Sequence, residues 1–193
     1  DFKTAAAAAQ AAVVAIPNNP DLVDKQARVL LAAGDAQPAM TSFSRVTQLR
    51  PESAQAFLNL GEAQLGANDL DGAARAARRA LELQPAMPAA QRLSISVAVK
   101  QQRWKDALAV ARDMQARQPA DSAGLLVEGE IELEQKNYDA AIAAFRKACA
   151  MASPGQGPAR LHAALMLAKR DAEAAKFVDS WAVSHPKDGL FQY

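Results

Sequence analysis

The sequence predicts an all-α fold in which one helical unit recurs along the chain, and composition and periodicity both point to it. Half of the residues are hydrophobic but only 5% are aromatic. Alanine dominates that half, which suits close helix packing better than the β-branched, aromatic-rich pattern of strands. Pro17, Pro51, Pro85 and Pro119 then follow one another at intervals of 34 residues. Self-similarity at a fixed period marks a repeat array.

Other positions keep the same step. Ala5, Ala39, Ala73, Ala107 and Ala141 form one series, and Phe2, Ala36, Leu70, Trp104 and Tyr138 form another. Gly61 and Gly129 stand two steps apart. Small side chains at Gly61 and Ala73 permit two helices to approach where larger residues would collide. Each proline stops a helix, because it lacks an N–H donor and disfavours the α region in the residue before it. Asn68-Asp69 and Lys136-Asn137 supply turn or cap chemistry between helices.

In the most regular stretch, Phe57, Leu60 and Gly61 are followed by Ala73, Ala80 and Pro85, and Phe43 and Phe145 each stand four residues after a series alanine. This pattern resembles the tetratricopeptide repeat (TPR). The third unit departs from it with Ser94 and Ile95 in place of the Leu-Gly pair, and Gln64 and Glu132 stand where the family has a tyrosine. The resemblance implies a right-handed superhelix, an α-solenoid of antiparallel helix hairpins. On this register the chain is a single array. It comprises a half-repeat 1–19, repeats 20–53, 54–87, 88–121 and 122–155, an irregular repeat 156–188, and the start of a further helix at 189–193. Ser153, Pro154, Gly155, Gln156, Gly157 and Pro158 read as a longer joint. Because neither end shows the polar cap a solenoid needs, the array is expected to be cut from a longer one.

Charge and cysteine content narrow the function. With 22 basic against 21 acidic residues the net charge is +1, which leaves no global field to draw in nucleic acid or an anionic membrane. The single Cys149 cannot form an internal disulfide and has no partners at metal-ligand spacing. It reads as a small apolar packing residue. No apolar run approaches the ~20 residues that span a bilayer, so a soluble chain is expected. The Ala5 to Ile16 stretch could pass for a signal-peptide core, but the repeat register accounts for it better.

Catalysis finds no constellation here. His162 reads as a surface or partly packed helix residue, and His185 precedes a helix-ending proline where a cation suits the dipole. Gly155-x-Gly157 and Leu60-Gly61 lack the strand and the lysine of a phosphate loop. Arg75, Arg78 and Arg79 lie at helical spacing with Asp71 and Glu82, as on a solvated face with ion pairs. The expectation is therefore no enzyme, no catalytic residues, no cofactor and no metal.

The family resemblance implies a concave face lined by first-helix residues. Carried onto this sequence, that face presents Leu58, Glu62 and Leu65, and two repeats later Leu126, Glu130 and Leu133. Asp24 and Arg28 precede them, and Arg92 and Ser96 lie between. Leu58 and Leu126 are the expected partner contacts, whereas Leu65 and Leu133 divide evenly between groove and core. Neither Asp24 with Arg28 nor Arg92 with Ser96 matches the family's carboxylate clamp for chaperone C-termini.

The leading functional expectation is a scaffold that grips a protein or peptide segment, with no nucleic acid and no membrane insertion. A structural spacer that self-associates end to end is the alternative. An accessory domain of an enzyme or an RNA-binding array is a third reading, and Glu62, Glu130 and Glu134 argue against RNA binding. The ending from His185 to Tyr193, with its Ala- and Arg-rich repeats, is similar to TPR lipoproteins of bacterial PEP-CTERM/exosortase systems. That similarity implies an envelope or periplasmic setting in polysaccharide export or protein sorting.

Overall fold

The computed structural model describes residues 2–186, whose regular elements are all α-helices. The expected helix start at 189–193 lies outside the described residues. The chain divides into two compact units between Arg103 and Trp104, a boundary inside the span expected as the third repeat.

The first unit contains α1 (Phe2–Ala15), α2 (Pro20–Ala32), α3 (Ala36–Leu49), α4 (Ala54–Gly66), α5 (Leu70–Leu83) and α6 (Pro88–Lys100). The second contains α7 (Trp104–Arg117), α8 (Ala123–Glu134), α9 (Tyr138–Cys149), α10 (Gly157–Leu167) and α11 (Asp171–Ser184). No helix among the described residues is long and apolar enough to cross a membrane.

Helix boundaries follow local chemistry. Pro17, Pro51, Pro85 and Pro119 each lie two residues past the last helical residue, after Ala15, Leu49, Leu83 and Arg117. Pro20 and Pro88 open α2 and α6 at the position where a missing N–H costs nothing. Side-chain caps hold other starts: Asn19 Oδ1 accepts from the Asp21 N–H at 3.0 Å, Ser53 Oγ from Ala56 at 3.2 Å, and Asp69 Oδ1 from Gly72 at 2.9 Å.

The turns after α2, α4, α6, α8 and α10 share one geometry. Gly34, Asn68, Gln102, Lys136 and Lys169 all have positive φ, between 56° and 89°. The residue after each donates its N–H five residues back, as Asp69 does to the Gln64 carbonyl at 2.8 Å and Asn137 to Glu132 at 2.9 Å. This Schellman closure satisfies carbonyls that a helix end would otherwise leave bare. Only the first of the five positions is glycine, the residue that enters this backbone region without steric cost.

Each unit has its own core. In the first, Val13, Val23, Val46 and Ala56 form one cluster, Ala27, Ala39, Phe43 and Ala63 a second, and Leu58, Ala73, Ala77, Leu93 and Val97 belong to a third. In the second unit Ala141, Ile142 and Phe145 of α9 pack with Leu161 and Leu165 of α10 and Ala174 of α11. Ala39, Ala73, Ala107 and Ala141 are all 0% exposed, whereas Ala5 is exposed.

Close approach is required at the glycines. A Cβ on Gly61 would lie 2.7 Å from Leu93 Cδ2 and 3.2 Å from Ala76 Cβ, and one on Gly129 would lie 2.4 Å from Phe145 Cε1. The chain from Ala150 to Gln156, between α9 and α10, is longer than the Arg50 to Ser53 connector between α3 and α4. It is tied down where the buried Ser122 hydroxyl donates to the Ser153 carbonyl at 2.9 Å.

Candidate partner-binding faces

In the first unit Asp24 stands on α2. Its carboxylate is well covered, at 22% side-chain exposure, and both oxygens are engaged. Arg28 Nε donates to Oδ2 at 2.7 Å and Asn59 Nδ2 of α4 donates to Oδ1 at 3.0 Å. The Asn59 carbonyl oxygen in turn accepts from Gln55 Nε2 at 2.7 Å. A continuous polar chain, Gln55–Asn59–Asp24–Arg28, therefore joins two first helices. Partly buried polar groups are tolerated when they are hydrogen-bonded in this way.

The chain holds Arg28 in place while leaving its side chain 56% exposed. Asp24 uses only its Nε, so the terminal nitrogens of the guanidinium remain for a further acceptor. Glu62 is exposed one turn beyond Asn59 on α4, and on α6 Arg92 is exposed with Ser96 half-buried.

Leu58 corrects the sequence reading. Expected as a partner contact, it is 3% exposed and sits among Ala73, Ala77, Leu93 and Val97 in the core. On a helix the 58, 62, 65 stripe and the 55, 59, 62 stripe are adjacent. The structure turns the first of these inward at its Leu58 end and sets Asn59 against α2. Neither Asn59, between Leu58 and Leu60, nor Gln55, between Ala54 and Ala56, gives a periodic signal of its own in the sequence. Leu65 is partly buried against the same cluster, so packing accounts for it.

In the second unit Leu126 and Leu133 of α8 are partly buried against the α9–α10 cluster, which makes both of them packing residues first. What α8 offers outward is Glu130, paired with Arg160 of α10 at 3.0 Å, each 45% exposed. On its other side Glu128 accepts from Gln115 Nε2 of α7 at 2.7 Å, and the same amide donates to the Gly124 carbonyl at 3.2 Å.

Other charged groups are structural. Arg79 reaches Glu52 at 3.5 Å and Glu82 at 3.3 Å, and lies 5.8 Å over the Phe57 ring, while Arg75 and Arg78 are exposed. Glu173 accepts from Arg170 and Arg146. The hydrogen bond from Arg170 outweighs the desolvation that opposes it and, with a further contribution from Arg146, holds its carboxyl below the usual glutamate range. Burial pushes the Cys149 thiol up to about 11. His162 is half-buried on α10, and the His185 ring stacks on Trp181 at 3.8 Å. Among the described residues no three His, Cys, Asp or Glu side chains gather as metal ligands would.

Comparison with known proteins places this arrangement. No curated protein matches the sequence. Among solved structures, MamA is similar at 21% identity over 90% of this chain and 92% of its own, with a TM-score of 0.66. PilW, described as a type IV pilus biogenesis factor, is similar at 18% identity over all of this chain and 90% of its own, with a TM-score of 0.62. YrrB, described as a TPR protein with an unusual peptide-binding site, is 15% identical over 94% of each chain at a TM-score of 0.61. At such identities these likenesses concern the fold. The tetratricopeptide repeat profile matches residues 25–88 and 94–156. That is more than half of the sequence, and the chain belongs to the tetratricopeptide repeat family.

Proposed function

We propose that this chain is a protein-interaction scaffold whose first helices present charged groups to a partner segment, and that it performs no catalysis. The observation that carries this reading is the Gln55–Asn59–Asp24–Arg28 chain. It spends two partly buried polar side chains to hold one arginine at the surface. A guanidinium fixed in advance loses less rotamer freedom when it meets a carboxylate.

In the first unit the contact set is Asp24 and Arg28 on α2, Glu62 on α4, and Arg92 with Ser96 on α6. Glu130 and Arg160 form the corresponding exposed pair in the second unit. Leu65, Leu126 and Leu133 add apolar surface only through the parts that packing leaves open, so charge sets orientation and selectivity. Interspersed carboxylates at Glu62 and Glu130 favour a protein segment over nucleic acid. Work in an envelope polysaccharide or protein-sorting system is the setting proposed from the resemblance near the chain end, part of which lies beyond the described residues.

The test is affinity capture from the source organism's extract with wild-type protein and an Arg28→Glu plus Arg92→Glu variant, both confirmed folded by circular dichroism. Arg28→Glu sets a like charge one turn from Asp24, so a modestly lowered melting temperature with an unchanged helical signal is expected. Partners lost only from the variant support the scaffold reading. An unchanged set of partners sinks the assignment of these faces, and a mass that rises with concentration in both proteins supports the self-associating spacer instead.

A further inference from the structure

Two repeats apart, the first helices carry the same charged pair in different states. Glu130 of α8 and Arg160 of α10 stand 30 residues apart in sequence and are joined at 3.0 Å. Glu62 of α4 and Arg92 of α6 occupy the same positions two 34-residue steps earlier. Both are exposed, and among the described residues neither has an ion-pair or hydrogen-bonding partner for its side chain. A partner that engages Glu130 or Arg160 has first to part them, and while joined they cancel each other's field. Glu62 and Arg92 present their charges already apart, so they steer and orient a partner without that step.

Arg28 of α2 adds a third charge, one 34-residue step before Glu62. Asp24 holds it through Nε at 2.7 Å, and its side chain stays 56% exposed. Glu62 is exposed even though α2 lies beside α4, so this repeat position belongs to the open face in a repeat whose preceding first helix is present. Asp24 bonds to Asn59 at 3.0 Å, and Leu58 shares a cluster with Leu93, so α2, α4 and α6 are in side-chain contact in that order. Helices in contact have axes about 8–10 Å apart. Across the three, the charges run positive, negative, positive at about that step, with Arg92 one turn nearer the start of its helix than Ser96, the counterpart of Glu62.

A backbone that meets all three charges must return a side chain to the same side at that interval. A polyproline II segment does so, because three residues per turn at a rise of about 3.1 Å bring positions i, i+3 and i+6 to one side about 9 Å apart. A β-strand sets i and i+3 on opposite sides, and its same-side intervals of two and four residues, about 7 and 13 Å, straddle the step. An amphipathic helix needs an apolar floor for its stripe. Leu58, which stands between Asp24 and Arg92 in the repeat register, is turned into the core at 3% exposure and supplies none.

We propose, resting on the scaffold reading above, that the first unit recognises a polyproline II segment of a partner protein in which an acidic residue is followed three positions on by a basic one and three beyond that by a second acidic one. The two carboxylates accept from the Arg28 and Arg92 guanidinium groups, and the basic side chain donates to Glu62. The pattern is the same read from either end, so the face accepts the segment in either chain direction.

The test is fluorescence anisotropy of the whole chain with a labelled peptide Glu-Pro-Pro-Lys-Pro-Pro-Glu, whose prolines hold the conformation, set against the charge-inverted Lys-Pro-Pro-Glu-Pro-Pro-Lys. The first is expected to bind saturably and at least ~10-fold more tightly than the second, a difference of ~1.4 kcal/mol, and to weaken as salt is raised. Arg92→Glu alone lowers its affinity, and Arg28→Glu, Glu62→Lys and Arg92→Glu together reverse the preference. Arg75→Glu plus Arg78→Glu, on the second helix α5, leaves it intact. No saturable binding to the wild type, equal binding of the two peptides, or an equal loss in the Arg75 and Arg78 variant overturns the proposal. If the peptides are not told apart while extract partners are still lost from the Arg28→Glu plus Arg92→Glu protein, the charge pattern falls and the scaffold reading stands; if extract partners are kept as well, both fall.

Discussion

Gly129 of α8 lies against the ring of Phe145 on α9 so closely that a Cβ there would stand 2.4 Å from Cε1, 2.6 Å from Cζ and 2.8 Å from Cδ1. Phe145 is 0% exposed, so its ring has nowhere to go. Gly129→Ala is expected to destabilise by about 1–3 kcal/mol from overpacking, even though alanine gains up to ~1 kcal/mol of helix propensity. Gly61→Ala should cost less, because the obstructing atom is a leucine methyl that can rotate. Chemical denaturation of the two variants checks the order, and equal effects would mean the Phe145 ring yields as readily as Leu93.

Leu58 and Glu62 share a helix one turn apart but differ in fate. Leu58→Ala should destabilise by about 2–5 kcal/mol, as for a buried leucine. Glu62→Ala should stay within about 0.5 kcal/mol. Urea unfolding measures both. If the leucine variant unfolds at the wild-type midpoint, Leu58 is not in the core.

The left-handed residue at Lys136, with φ of 61°, is held there by the closure of α8. An L side chain in this region costs about 1–2 kcal/mol, against which glycine loses about 0.5–1 kcal/mol of unfolded-chain entropy. Lys136→Gly is therefore expected to raise stability by roughly 0.5–1 kcal/mol. Thermal unfolding decides it, and a lowered midpoint would show that the lysine side chain contributes more than its backbone costs.

Gln64 stands where the repeat family carries tyrosine, and its Oε1 is buried without a hydrogen-bond partner. An unpaired buried acceptor costs about 1–3 kcal/mol. Gln64→Met keeps the length of the side chain and removes the acceptor, so a stabilisation of about 1 kcal/mol is expected. A destabilised variant would show that the rest of the amide does compensating work in this site.

For Cys149 the sign follows from burial. With the thiol pushed up to about 11, the neutral form dominates at neutral pH and the nucleophilic thiolate is scarce. Burial thus favours the folded state below the ordinary cysteine range, and the advantage is lost as pH rises through the folded value. Alkylation by iodoacetamide should be slow at pH 8 and accelerate only well above pH 9, relative to a free thiol. Rapid labelling at pH 8 would contradict the packing of Cys149.

Periodicity, helix class and hairpin ends were legible in the sequence because they depend on local sterics. A proline that cannot continue a helix acts wherever it stands, and Ala39, Ala73, Ala107 and Ala141 mark contacts where only a methyl fits. The binding face was less legible. First-helix stripes one residue apart carry similar residues, so only packing against α5 and α6 reveals that Leu58 turns inward and that Asn59 bonds to Asp24. Likewise, Gln102, Lys136 and Lys169 announce no left-handed turn, since the closing hydrogen bonds impose that backbone on residues with no preference for it. Spacing by itself determined where each helix stops and which positions must stay small. Which side of each first helix meets solvent was decided only in three dimensions, because that depends on neighbours a repeat length away.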